Sequence, residues 1–145
     1  MLKIQSILFS FIVVGFVSSC SRTGEVNSDR STKLFELQFI NTGLSGDIIK
    51  KEDLEFNEFI EFLSNGTFIK KRVHPDSTSI AKGSYTLMLS EDTHYYDLEY
   101  EEVGPLIQNC GSSVKEHITI LNDNEIFNGS YLPCDGPGFG YELVY

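Results

Sequence analysis

The sequence predicts an all-β domain, eight antiparallel strands in up-and-down order closed into a small barrel, behind an N-terminal targeting segment. Three observations predict it. From residue 33 onward, apolar side chains alternate with polar ones at period two. Clusters of Gly, Asn, Asp and Pro break that alternation at short intervals, as hairpin turns require. No stretch carries a convincing helical period, and residues 50–61 have room for one turn at most. Consecutive strands joined mostly by short turns close naturally into a barrel, because closure removes exposed edges.

Residues 1–19 read as a signal peptide. Lys3 gives a positive start, and residues 7–17 are apolar except for Ser10 and Gly15. The apolar run 4–17 is shorter than the ~20 residues that span a bilayer. It ends in Val17-Ser18-Ser19-Cys20, which resembles a bacterial lipobox. That resemblance implies cleavage before Cys20, acylation of its sulfur and amine, and attachment to an envelope membrane. Ser21, rather than Asp, resembles lipoproteins sorted to the outer membrane, with the face of that membrane left open. Each buried acyl methylene adds about 0.8 kcal/mol of membrane affinity, so three chains make a lasting anchor. Residues 20–32 hold the lipidated cysteine and a tether in which Val26 is the one aliphatic residue, with a reach of about 20 Å. Residues 33–145 are expected to form one domain.

Phe35, Leu37 and Phe39 share one face of the first strand, and 41–53 is a longer connection with Gly43 and Gly46. Residues 55–63 and 67–73 form a hairpin about Asn65-Gly66. A two-residue turn there sets Phe62 opposite Ile69 and Glu61 opposite Lys70. A three-residue turn with a bulge sets Phe62 opposite Phe68 and Glu58 opposite Arg72. Both registers pair charges sensibly. Residues 80–90 place Tyr85, Leu87 and Leu89 on one face. Residues 95–101 set Tyr96, Leu98 and Tyr100 against Asp97, Glu99 and Glu101. Residues 114–121 turn Ile118 and Ile120 inward and His117 outward. Residues 125–132 follow, then a Gly/Pro loop over 133–138, and a last strand with Phe139, Tyr141, Leu143 and Tyr145 on one face. The predicted interior is therefore Phe35, Leu37, Phe39, Phe62, Tyr85, Leu87, Tyr96, Leu98, Ile118, Ile120, Tyr141 and Leu143.

The run Glu61-Phe62-Leu63-Ser64-Asn65-Gly66-Thr67-Phe68, followed by Lys82-Gly83-Ser84-Tyr85-Thr86-Leu87 and by Asp135-Gly136 with Tyr141, resembles the lipocalin-like domains of small bacterial lipoproteins. The resemblance covers about residues 33–145 and implies a lipocalin-like barrel. The chain departs from lipocalins in having no Trp and Phe35 at the nearest position.

A formal net charge of −10 sets the chain against phosphate backbones and anionic headgroups, which excludes nucleic acid as a partner. With Cys20 lipidated, Cys110 and Cys134 remain. Export favours a disulfide between them, and the absence of C-x-x-C or paired histidines disfavours a metal or redox site. His74, His94 and His117 lack metal-ligand spacing. The acidic run from Glu91 to Glu102 reads as a solvated strand face rather than a calcium loop. There is no nucleophile elbow, dinucleotide fingerprint or P-loop, so the expectation is a non-enzyme without cofactor or metal.

Two binding readings stay open. A packed barrel would meet an envelope protein or polymer through its acidic exterior or the rim at 134–138. A hollow one would carry a small apolar ligand, lined by Phe62 and oriented by the hydroxyls of Tyr85, Tyr96 and Tyr141.

Overall fold

The computed structural model describes residues 31–90 and 93–145. The signal segment, Cys20 and nearly all of the tether lie outside the described residues, as do Glu91 and Asp92. Nine strands follow in order: β1 (Lys33–Asn41), β2 (Ile48–Lys50), β3 (Asn57–Phe62), β4 (Thr67–Val73), β5 (Thr78–Leu89), β6 (His94–Tyr100), β7 (Lys115–Asn122), β8 (Glu125–Asn128) and β9 (Gly138–Leu143). Each of β3 to β9 pairs antiparallel with its neighbour, β1 pairs with β3, and β9 returns to β1. The result is the predicted all-β, closed, eight-stranded up-and-down barrel. The short β2 lies outside that circle and pairs only with the upper part of β1. Among the described residues, every strand pairing and the hydrophobic core lie within residues 33–145.

The β3–β4 hairpin takes the bulged register, with Phe62 opposite Phe68 and Glu58 opposite Arg72. Gly66 at φ 84° supplies the left-handed residue that a three-residue turn needs. Asn65 Oδ1 accepts from the Thr67 backbone N–H at 3.0 Å and its hydroxyl at 2.6 Å, fixing the turn.

One end of the bore is aromatic. Phe62 stacks on Tyr96 with ring centroids 4.2 Å apart and meets Tyr85 edge-on at 5.0 Å. Phe35 meets Phe62 at 5.9 Å, and Phe68 meets Tyr100 at 4.9 Å. Gly83 makes room for this packing. A Cβ there would fall 2.1 Å from the Glu99 carbonyl oxygen and 2.7 Å from the Phe68 ring.

Phe39 is a correction to the predicted interior. A bulge shifts the β1–β9 register between Leu37 and Phe39, and the alternation slips by one residue. Ile40 then packs against the core. Phe39 instead lies over Gly140, 6.3 Å from the Phe127 ring with which it stacks, while Phe127 covers Gly138. Beside them, Tyr131 covers Gly136. Leu89 and Tyr145, at the ends of their strand faces, are exposed. The strand read over 125–132 stops at Asn128, because the chain turns at Gly129 into a 3-10 turn, Leu132–Cys134.

On the outside, the acidic face of β6 lies against β7, where Lys115 supplies a counter-charge. His117 Nδ1 lies 3.0 Å from Asp97 Oδ1, and Lys115 Nζ lies 3.6 Å from Glu99 Oε2.

Candidate binding site at the barrel mouth

The chain enters β1 at Lys33, opposite Phe62, at the aromatic end. The opposite end, where Asn41 meets Gly138, is the mouth. Segments 42–56, 74–77, 101–114 and 129–137 surround it. Cys110 and Cys134 form the predicted disulfide, with Cα atoms 5.8 Å apart, and so tie the 101–114 loop to the loop before β9. The 101–114 loop folds over the bore and buries Leu106 and Gln108.

Below the mouth the bore is polar. Glu58, Lys70, Glu116 and Asn128 are fully buried, and Arg72 reaches in beside them. Alternation explains their direction. Glu58 precedes Ile60 and Phe62 on the inner face of β3, Lys70 and Arg72 follow Phe68 on β4, and Glu116 precedes Ile118 on β7. Arg72 donates from Nε to Glu58 Oε2 at 2.6 Å, and its Nη2 lies 2.6 Å from the same oxygen. Tyr141 donates its hydroxyl to Glu58 Oε1 at 2.6 Å. Tyr100 donates to Glu116 Oε2 at 2.7 Å, and the Gln108 backbone N–H donates to Glu116 Oε1. Lys70 sits between the carboxylates, 3.4 Å from Glu116 and 3.6 Å from Glu58, and donates to Gln108 Oε1 at 2.9 Å. Two carboxyl groups thus face one ammonium and one guanidinium, which is how charge is tolerated inside a protein.

Burial above all, then the adjacent Glu58 carboxylate and its hydrogen bond, hold the Tyr141 hydroxyl well above the usual tyrosine range. Burial and Glu116 do the same for Tyr100. Burial, then Tyr85, raise Tyr96.

The candidate ligand-lining residues therefore divide. Phe62, Tyr85 and Tyr96 come together at the aromatic end, where Tyr85 donates to the Leu63 carbonyl at 2.9 Å. Tyr141 lies apart, committed to Glu58. The charged interior was missed because a charged side chain reads as outward. Its signal was phase, since each of these residues sits two or four positions from a buried apolar one.

Above the polar layer, a cleft of about 300 Å³ opens among the mouth loops. Its walls are Ile40, Phe56, Ile107 and Phe139, with Tyr131 at the rim, and Arg72 and Gln108 also line it. The Arg72 guanidinium lies 4.3 Å from the Phe56 ring centroid, a cation–π contact that fixes its plane. Around this end Leu44 and Val103 stand largely exposed. Asp135 takes the left-handed conformation at φ 62° where the 3-10 turn ends, a position Asp tolerates. Among the described residues no group of three His, Cys, Asp or Glu side chains is placed to hold a metal ion. No helix among them is long and apolar enough to cross a membrane. No family model matches the chain, and no curated protein or solved structure matches it either.

Proposed function

We propose that this protein is a non-enzymatic binding module of a bacterial envelope, held to the membrane by lipid on Cys20, with the disulfide-tied mouth as its binding face. The observation that carries this reading is the contrast between the two ends of the barrel. The bore is occupied by ring contacts at one end and by the Glu58–Lys70–Glu116 network below the other. The loops at the mouth are cross-linked, apolar at the rim and open into a cleft. Loops held on a rigid scaffold are where binding residues concentrate. A carrier with its ligand deep inside the barrel is less favoured, because two of the three tyrosine hydroxyls expected to orient it are already used, Tyr141 on Glu58 and Tyr85 on the Leu63 carbonyl.

Hydrogen exchange of the lipidated protein in membranes, with and without an extract of envelope components, tests the reading. Protection confined to 101–114 and 129–139 is expected. Protection centred on the outer faces of β5 and β6, or none at all, would overturn it.

A further inference from the structure

We propose that the mouth cleft takes a small monocarboxylate with an apolar body, and that Arg72 binds its carboxylate through Nη1. This rests on the mouth being the binding face and adds the chemistry of what enters it. Arg72 sits on the inner face of β4 and lines the cleft, with 18% of its side chain exposed. One face of its guanidinium lies on the Phe56 ring. Nε and Nη2 are both 2.6 Å from Glu58 Oε2. The three nitrogens of a guanidinium radiate from Cζ in one plane at about 120°, so Nη1 points directly away from that oxygen. Glu58 is fully buried beneath the cleft, and Nη1 is therefore turned out of the polar layer. Among the described residues Nη1 has no hydrogen-bond partner, and it is not buried. An acceptor entering the cleft meets it without displacing a bond already made.

Charge selects the acceptor. Arg72 is the one charged residue among the described residues lining the cleft, so a cation faces it and no carboxylate does. Glu58 divides its charge between Arg72 and Lys70, on the buried side. A hydrogen bond from a guanidinium to a carboxylate is roughly twice as strong as one between neutral groups. The chain's formal charge of −10 acts from farther away. It is screened beyond about 8 Å at physiological ionic strength, so the adjacent guanidinium decides. The walls select the rest of the ligand. Ile40, Phe56, Ile107 and Phe139 are apolar, and so is the body they enclose. About 300 Å³ holds roughly one ring and a short chain. A dianion would carry a second charge that no accessible cation in the cleft meets.

Three probes of matched shape separate the possibilities on the lipidated protein in neutral detergent micelles, with empty micelles as the reference: 4-phenylbutyrate, 4-phenylbutanamide and 4-phenylbutylammonium. Calorimetric titration should show the acid binding at least about tenfold more tightly than the amide, and the ammonium not binding. Beyond the signal segment the chain has three arginines, Arg22, Arg30 and Arg72. In protein carrying carbon-labelled arginine, the Cζ resonance of Arg72 should move as the acid binds, while those of Arg22 and Arg30 stay in place. Arg72→Gln keeps a donor for Glu58 and removes the cation, and should erase the preference for the acid. The resonance shift in the unaltered protein decides the matter if that variant fails to fold. Equal affinities for acid and amide, no binding of any probe, an Arg72 resonance that stays in place, or a preference that survives in Arg72→Gln would each overturn the proposal. If mouth protection persists in the exchange experiment, such a failure removes the ligand class alone. Loss of both removes the mouth as the binding face.

Discussion

Lys70 is the side chain on which the polar half of the bore depends, because among the described residues it is the one cation lying within 4 Å of both buried carboxylates. Replacing it with Met leaves Glu58 with Arg72 and leaves Glu116 with neutral donors only. Lys70→Met is expected to cost about 3–5 kcal/mol in urea denaturation, as breaking a buried pair typically does. Adding Glu116→Gln to that variant should recover part of the loss, since the charge left without a counter-charge is then gone. A single variant as stable as the parent would show that the network is incidental. Tyr100 and Tyr141 set a second expectation, at alkaline pH. Both hydroxyls are held above the usual tyrosine range by burial and by their carboxylate partners. Below about pH 10 each phenol is protonated in both folded and unfolded chains and adds no pH dependence. Above it the unfolded chain releases protons that the folded chain keeps. Stability should then fall by about 1.4 kcal/mol per pH unit for each such tyrosine. Phenolate absorbance should show the exposed tyrosines ionising first and these two only as the protein unfolds. Early ionisation of all seven tyrosines in folded protein would contradict the burial.

At the scale of elements, the disulfide joins two loops rather than two strands. Reduction should therefore weaken the mouth and lower stability by about 2–5 kcal/mol, measured as a fall in urea midpoint with dithiothreitol. An unchanged midpoint would mean that the loops hold without it. How far such elements were legible follows from what each one offers to a period-two reading. β6 was plain, with Tyr96, Leu98 and Tyr100 buried and acidic residues between them. β2 was hidden because Ile48, Ile49 and Lys50 are all exposed and show no alternation. The bulge in β1 was hidden because an extra residue at Gln38 leaves no mark in composition, yet it exchanges Phe39 for Ile40 at the core. The hairpin at Asn65-Gly66 was legible as a turn but not as a register, since both registers paired opposite charges. The site was hardest to read. A lone inward Glu58 or Glu116 contradicts the rule that charge faces water, and the contradiction lifts only when β3, β4 and β7 bring Lys70 and Arg72 beside them. That information lies in pairings between strands, not in any one strand.

For the molecule as a whole, Lys33 and the mouth lie at opposite ends of the barrel. Lys33 enters beside Phe62 and the mouth opens beyond Asn41, so the length of β1 separates the entry to the barrel from the cleft. Cys20→Ala should abolish fatty-acid labelling and release the protein from the membrane fraction. A variant that stays bound and is processed normally would remove the anchor from the account. The way the barrel closes also decides how it carries a mechanical load. Leu34 N–H donates to the Tyr145 carbonyl at 2.9 Å and Val144 N–H to the Leu34 carbonyl at 2.7 Å, so the start of β1 lies beside the last residues of the chain. Pulling Lys33 away from Tyr145 opens the β1–β9 seam one pair at a time, and each hydrogen bond resists alone. Pulling Lys33 against the mouth draws on β1 along its length, with β3 gripping one edge and β9 the other, so many bonds must shear together. Single-molecule extension should give a clearly higher rupture force between Lys33 and the 101–114 loop than between Lys33 and Tyr145. The stronger axis would be the one along which an anchored domain is drawn when its mouth holds something that moves.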